Sequence, residues 1–224
     1  MRPQLLFRAH LGLGDHLVCN ALCRYFARTH QVFVPCKRHN APTLAFMFRD
    51  NKQIEHLVVQ DDAEADEFMK VVRGHGHSVI GLGAYGPSPF NPKVWDQEMY
   101  RQAGVPFPER WNRFTVHRQP SRELKPPDGP FAFVHEDGKR GFLIDRTLIS
   151  KNLPVVYADP NKTINLFDWW GHIETATELH LIDSCFAIMA DSLPELRAKR
   201  KLIHIYARPG ALPPSYTKDW EILR

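Results

Sequence analysis

Glu178-Leu179-His180-Leu181-Ile182-Asp183-Ser184-Cys185-Phe186-Ala187 sets polar side chains into an otherwise apolar run. A run of this kind marks a binding edge, where a buried strand gives way to a helix and polar groups gather at the junction. A second stretch, Leu11-Gly12-Leu13-Gly14-Asp15-His16, separates an apolar opening from a long amphipathic segment. Together the two stretches predict an α/β fold of two small Rossmann-like halves whose parallel sheets face a cleft.

Outward from the glycine loop, Gln4 to Arg8 reads as a short buried strand. Asp15 to Thr29 reads as a helix with Leu17, Ala21, Leu22, Tyr25 and Phe26 on one face, and Gln31 to Pro35 as the next strand. Helix N-terminal amides and the macrodipole point into the loop between strand and helix, so Gly12 and Gly14 are candidate phosphate-contacting residues. The alternation continues with a helix at Ala41 to Arg49, a strand at His56 to Gln60, a helix at Ala63 to Arg73, a strand at Ser78 to Leu82 and a helix at Trp95 to Ala103.

Between Gln119 and Pro130 stand four prolines in twelve residues, the clearest linker signal in the chain. It divides an N-terminal half, residues 1–118, from a C-terminal half that begins at 131. In the second half strands are expected at Phe131 to His135, Val155 to Tyr157, His180 to Ile182 and Lys201 to Tyr206. Helices are expected at Gly171 to Ala176 and Cys185 to Ser192, and Leu166 to Trp169 reads as extended. Strands alternating with helices favour a parallel sheet with right-handed crossovers.

The 224 residues are 43% hydrophobic and 24% charged, the composition of an ordinary globular protein. No window approaches the roughly 18 to 20 apolar residues of a membrane span, and the opening apolar run is too short for a signal peptide. The expected location is therefore the cytoplasm, that of a host cell if the chain is phage-encoded. Cys19, Cys23, Cys36 and Cys185 form no paired Cys-x-x-Cys spacing, so they read as core thiols and no metal site is expected. The formal charge of +4 includes basic clusters at Lys37-Arg38-His39, Arg110 to Arg118, Lys139-Arg140 and Arg197 to Lys201, which suit an anionic partner or a solvated face.

Three loops of the second half converge after strands: His135 to Gly141, Asp168 to Gly171, and Glu178 with Asp183-Ser184. Lys139 and Arg140 can neutralise a diphosphate, Glu178 can accept hydrogen bonds from a ribose diol, and Ser184 at a helix start can offer hydroxyl and amide to a phosphate. Each has a plainer reading, a helix cap for Asp183-Ser184 and a hairpin tip for Lys139-Arg140.

Gly12-Leu13-Gly14-Asp15, with Ile173-x-x-Ala176-x-Glu178-x-His180-x-Ile182-Asp183-Ser184 and His204-x-Tyr206-x-Arg208, resembles the GT-B glycosyltransferases. Within them it is most similar to heptosyltransferase-like enzymes and to short phage or bacterial sugar transferases. The resemblance implies a compact GT-B fold, a C-terminal half (131–208) that binds a nucleotide sugar, and an N-terminal half on the acceptor side. It also implies a final segment, 209–224, packing back on the N-terminal half. No metal and no cofactor beyond the nucleotide-sugar co-substrate are implied, in keeping with the absence of an Asp-x-Asp triplet.

Sugar transfer needs a group to take the acceptor hydroxyl's proton while cations and amides stabilise the departing diphosphate. Asp15, carried over from the Gly-x-Gly-Asp pattern, is the preferred base, with His16 second and His10 within reach of the loop. The acceptor is a glycan, lipid or small molecule, or a hydroxymethylated base in duplex DNA. For DNA, Lys93, Arg110, Trp111 and Arg113 would serve as contacts. The competing reading is a non-catalytic nucleotide- or nucleic-acid-binding module on the same fold. A Rossmann oxidoreductase is disfavoured because the loop lacks the third glycine of the dinucleotide fingerprint.

Overall fold

The computed structural model describes residues 2–224, in two compact units that divide between His117 and Arg118. In unit 1, β1 (Gln4–Arg8), α1 (Leu13–Val18), α2 (Asn20–Phe26), β2 (Gln31–Lys37), α3 (Ala41–Phe48), β3 (Ile54–Val59), α4 (Asp62–Gly74) and β4 (Ser78–Gly81) follow one another, then α5 (Trp95–Gln102) and α6 (Glu109–Asn112). The four strands form one parallel sheet in the order β3-β2-β1-β4. Its core is the set the periodicity selected: Leu5, Leu6 and Phe7 of β1, Val32, Val34 and Cys36 of β2, and Leu17, Ala21 and Leu22 of the helices are all buried. The expected single helix from Asp15 to Thr29 is broken at Cys19, whose backbone sits at φ −83° and ψ 0°.

α4 shows how its start is fixed locally. The Asp61 carboxylate accepts from the Glu64 amide at 2.9 Å, and the Glu64 carboxylate reaches back to the Gln60 amide at 2.6 Å, a reciprocal cap that satisfies donors the first turn leaves open.

Unit 2 contains β5 (Ala132–His135), β6 (Val155–Tyr157), α7 (Trp170–Thr175), β7 (Glu178–Ile182), α8 (Cys185–Ser192), β8 (Arg200–His204) and β9 (Glu221–Leu223). These strands form a parallel sheet ordered β6-β5-β7-β8-β9. Every residue of central β7 is buried, as a strand covered on both faces requires. One face carries Phe133, packed on Trp169, His172 and Phe186. Ala132, Val134 and Ile182 pack with Ile144, Ile149 and Ala207 in a second buried cluster.

Three readings are corrected in unit 2. Leu166–Trp169 is a 3-10 turn instead of an extended piece, because the Asn165 side chain accepts from the Phe167 amide at 3.2 Å and caps it. The proline-rich segment read as a linker is bound into the unit: Arg118 pairs with Glu123 and Glu174, and the Leu124 amide donates to the Asp168 carbonyl at 2.8 Å. Residues 209–224, which the resemblance returned to the N-terminal half, belong to unit 2 and supply β9. Buried Asp191 holds this segment, accepting from the amides of Thr217 and Lys218 and from Trp220 Nε1.

All four cysteines are free, with Cys19, Cys23 and Cys36 buried. Among the described residues no group of histidine, cysteine and carboxylate side chains could hold a metal ion, and no helix is long and apolar enough to cross a membrane.

Candidate active site

At the carboxyl edge of the first sheet, β1 runs into Ala9-His10-Leu11, and Gly12 caps α1 in extended conformation at φ −70° and ψ 144°. The buried Asn40 side chain donates to the Leu11 carbonyl at 3.0 Å and fixes the loop. A β-carbon on Gly12 would lie 2.5 Å from Asp15 Oδ2, so the missing side chain is what lets the carboxylate fold over the loop. Asp15 keeps part of its surface open, and Oδ2 stands 3.6 Å from Nδ1 of exposed His10. That contact with Asp15 raises the His10 pKa. Gly14 lies inside α1 as its second residue.

His16 does not share this exposure. It is buried, its Nε2 has no partner, and burial lowers its pKa to about 3, which leaves a poor proton acceptor turned away from solvent. The second choice of base is therefore withdrawn. On the same edge, Lys37, Arg38, His39, Val58, Val59, Gln60 and Glu64 line a depression of about 260 Å³ at the ends of β2 and β3.

At the carboxyl edge of the second sheet, β7 ends at Asp183-Ser184 and α8 begins. Ser184 occupies the cap position but spends its hydroxyl on His135 Nδ1, 3.0 Å away, at the end of β5. His135 stacks on Phe186 with centroids 4.1 Å apart, and burial lowers its pKa to about 4, so it is neutral near pH 7. Asp183 is buried and accepts from the Tyr216 hydroxyl at 2.9 Å, while Arg208 Nη1 donates to the Asp183 carbonyl at 2.9 Å. Burial raises the Asp183 pKa. The edge thus combines the open amides of an eight-residue helix with a nearby cation, an arrangement suited to an anion.

The other predicted donor residues divide. Lys139 is exposed on a 3-10 turn beside this edge; Arg140, next to it, is held by Asp137 at 2.6 Å and lies over the Phe142 ring. Glu178 is misplaced by the sequence reading. It is the first residue of β7, at the amino end of a strand that rises about 3.3 Å per residue, so roughly 13 Å separate it from Ile182. There it accepts from Ser150 Oγ at 2.5 Å, from the Ser150 amide at 3.2 Å and from His180 Nε2 at 3.2 Å. A ribose bound at the carboxyl edge lies beyond its reach.

The proposed DNA contacts are likewise not a basic surface. Arg110 is buried and paired with buried Asp96, with its guanidinium over the Trp111 ring; Trp111 in turn packs edge-on against Phe107. Arg113 pairs with Glu109 on its own helix turn, and only Lys93 stands in the open. Asn40 and His135 escaped the sequence reading, and Tyr206 and Arg208 entered only inside a motif. Their common signal is position, one to four residues beyond a strand's carboxyl end.

No protein-family model and no curated protein matches this chain. Solved structures do. A glycosyl transferase family 9 protein from Veillonella parvula DSM 2008 superposes with a TM-score of 0.55 at 12% identity, over 99% of this chain and 86% of that one. The fold is that of a GT-B glycosyltransferase. A second neighbour of that kind is TibC, described as a bacterial iron-containing dodecameric glycosyltransferase from enterotoxigenic E. coli H10407, with a TM-score of 0.50 at 11% identity. This chain is covered to 91% and spans 58% of the TibC chain. In GT-B proteins as in other open α/β sheets, the carboxyl edges of the parallel strands are where ligands bind, and both edges described above are of that type.

Proposed function

We propose that the chain is a glycosyltransferase that moves a sugar from a nucleotide-sugar donor to an acceptor hydroxyl. Unit 2 binds the donor: its diphosphate lies against the amino end of α8, with Ser184, Lys139 and Arg208 around it. Asp15 of unit 1 is the base. The acceptor oxygen bonds to the anomeric carbon as that carbon's bond to the diphosphate breaks. The electron pair leaves with the diphosphate, and the acceptor proton passes to the Asp15 carboxylate. Amides and cations fixed in place before the reaction stabilise the charge developing on the leaving group.

The observation that carries this reading is the seating of Asp15 over Gly12, a solvent-accessible carboxylate at the ligand edge of a parallel sheet. Thermal-shift measurements against UDP-, GDP-, ADP- and CMP-sugars test the donor, since a ligand of the folded state raises stability by RT ln(1 + [L]/Kd). With the donor in hand, Asp15→Asn is expected to abolish transfer and hold donor affinity. Equal transfer by the variant overturns the assignment, and no shift with any donor overturns the function.

A further inference from the structure

Four side chains of unit 2 form one hydrogen-bonded line along the second sheet. Glu178 Oε2 is 3.2 Å from His180 Nε2, His180 Nδ1 is 3.2 Å from His204 Nε2, and His204 Nδ1 is 2.9 Å from the Tyr206 hydroxyl. The Tyr206 oxygen in turn accepts from the Asp145 amide at 2.7 Å. Both histidines are fully buried on adjacent strands, with rings stacked at 5.4 Å, while Tyr206 is 39% exposed at the carboxyl edge. Nothing in the proposed transfer chemistry uses this line.

Its proton order is determined from one end. Two donations from Ser150 hold Glu178 as an acceptor and lower its pKa against the cost of burial, so the nearer nitrogen of His180 has to carry a proton. Burial lowers the pKa of both histidines, that of His204 to about 4, and each ring near pH 7 therefore has one N–H and one lone pair. With Nε2 protonated, His180 Nδ1 accepts; His204 must then donate from Nε2 and accept at Nδ1. Tyr206 is left to donate inward, and every proton of the line points from the ligand edge toward Glu178.

The turn that carries Tyr206 also carries Arg208, which binds the Asp183 carbonyl at the start of α8, so Tyr206 lies beside the anion-binding end of that helix. Its proton faces inward, and its oxygen offers the edge only acceptor character, strengthened by the chain of donations behind it. A phosphate oxygen gains nothing there, whereas an N–H or O–H does. We propose that Tyr206 is a specificity-determining residue for the nucleoside of the donor, accepting a hydrogen bond from a base N–H or a ribose hydroxyl, and that Glu178, His180 and His204 are the positioning residues that fix its polarity. This rests on the donor-binding reading of unit 2 and moves the nucleoside contact from Glu178 to Tyr206.

Titration calorimetry with UDP, GDP, ADP and CDP on the full chain tests it. Wild type is expected to bind at least one, and Tyr206→Phe to bind that nucleotide about tenfold more weakly with its melting temperature held. Equal affinity in Tyr206→Phe overturns the inference and leaves the donor reading standing, while a wild type that binds none of the four removes both. Glu178→Gln lets the line reverse, because the amide can donate to His180, and is expected to weaken binding in wild type but not in the Tyr206→Phe background. Long-range ¹H–¹⁵N spectra give a reading free of ligand: both histidines are expected as Nε2–H tautomers at pH 7, and an Nδ1–H signal from either ring overturns the proposal.

Discussion

The carboxylate of Asp15 occupies the space a side chain on Gly12 would need, 2.5 Å from where that β-carbon would stand. Gly12 has ordinary extended dihedrals, so alanine meets no backbone strain there and shortens the freedom of the unfolded chain. Gly12→Ala is thus expected to keep or slightly raise the melting temperature while displacing the carboxylate. Misplacing a catalytic group by about 1 Å costs on the order of a hundredfold in rate. Steady-state transfer assays beside thermal unfolding check this; a variant as active as wild type contradicts the seating argument.

Arg110 and Asp96 are both buried, and each neutralises the other. Removing the guanidinium strands a buried carboxylate, so Arg110→Ala is expected to lose about 3 to 5 kcal/mol in urea denaturation. Arg113→Ala, at an exposed intrahelical pair, is expected to lose less than about 1 kcal/mol. Similar small losses for both would show that Arg110 is a surface residue after all.

Asp191 gathers the amides of Thr217 and Lys218 and the indole of Trp220 onto one buried carboxylate. Asp191→Ala leaves those donors without their charged partner and is expected to cost about 3 kcal/mol. Limited proteolysis is expected to cut the variant faster between residues 209 and 220. Unchanged protection would mean that the segment is held by its strand pairing alone.

His16, His172 and His204 are buried, with pKa values lowered by burial to about 3, 4 and 4 from an unfolded value of 6.5. Below pH 6.5 the unfolded chain takes up protons that the folded chain refuses. Stability is therefore full above about pH 6.5 and falls toward pH 4, by up to about 1.4 kcal/mol per pH unit for each such site. Urea midpoints measured from pH 7.5 to 4.5 check the slope, and His204→Gln is expected to flatten it. A midpoint constant over that range contradicts the neutral histidines.

The sheets were legible because their strands are short apolar runs separated by amphipathic helices; β1, β6 and α8 fall on the expected residues. What escaped depends on partners distant in sequence. Glu178 looks like a loop carboxylate until Ser150, 28 residues earlier, is seen against it, and Arg110 looks like a surface cation until Asp96 is placed beside it. β9 follows prolines and polar residues, so no period announces it; its register comes from pairing with β8. Asp15 was found by its glycine pattern. Tyr206 was not singled out, since its polarity is set three side chains away.

The second sheet is bounded on both sides by strands of only three residues, Val155–Tyr157 and Glu221–Leu223. A rim that short offers an approaching chain very few free backbone groups, and Glu221 brings a charge to one of them. Long, flat, apolar rims are what template strand-by-strand polymerisation, so this sheet is protected by its own narrow margins from fibril growth at high concentration.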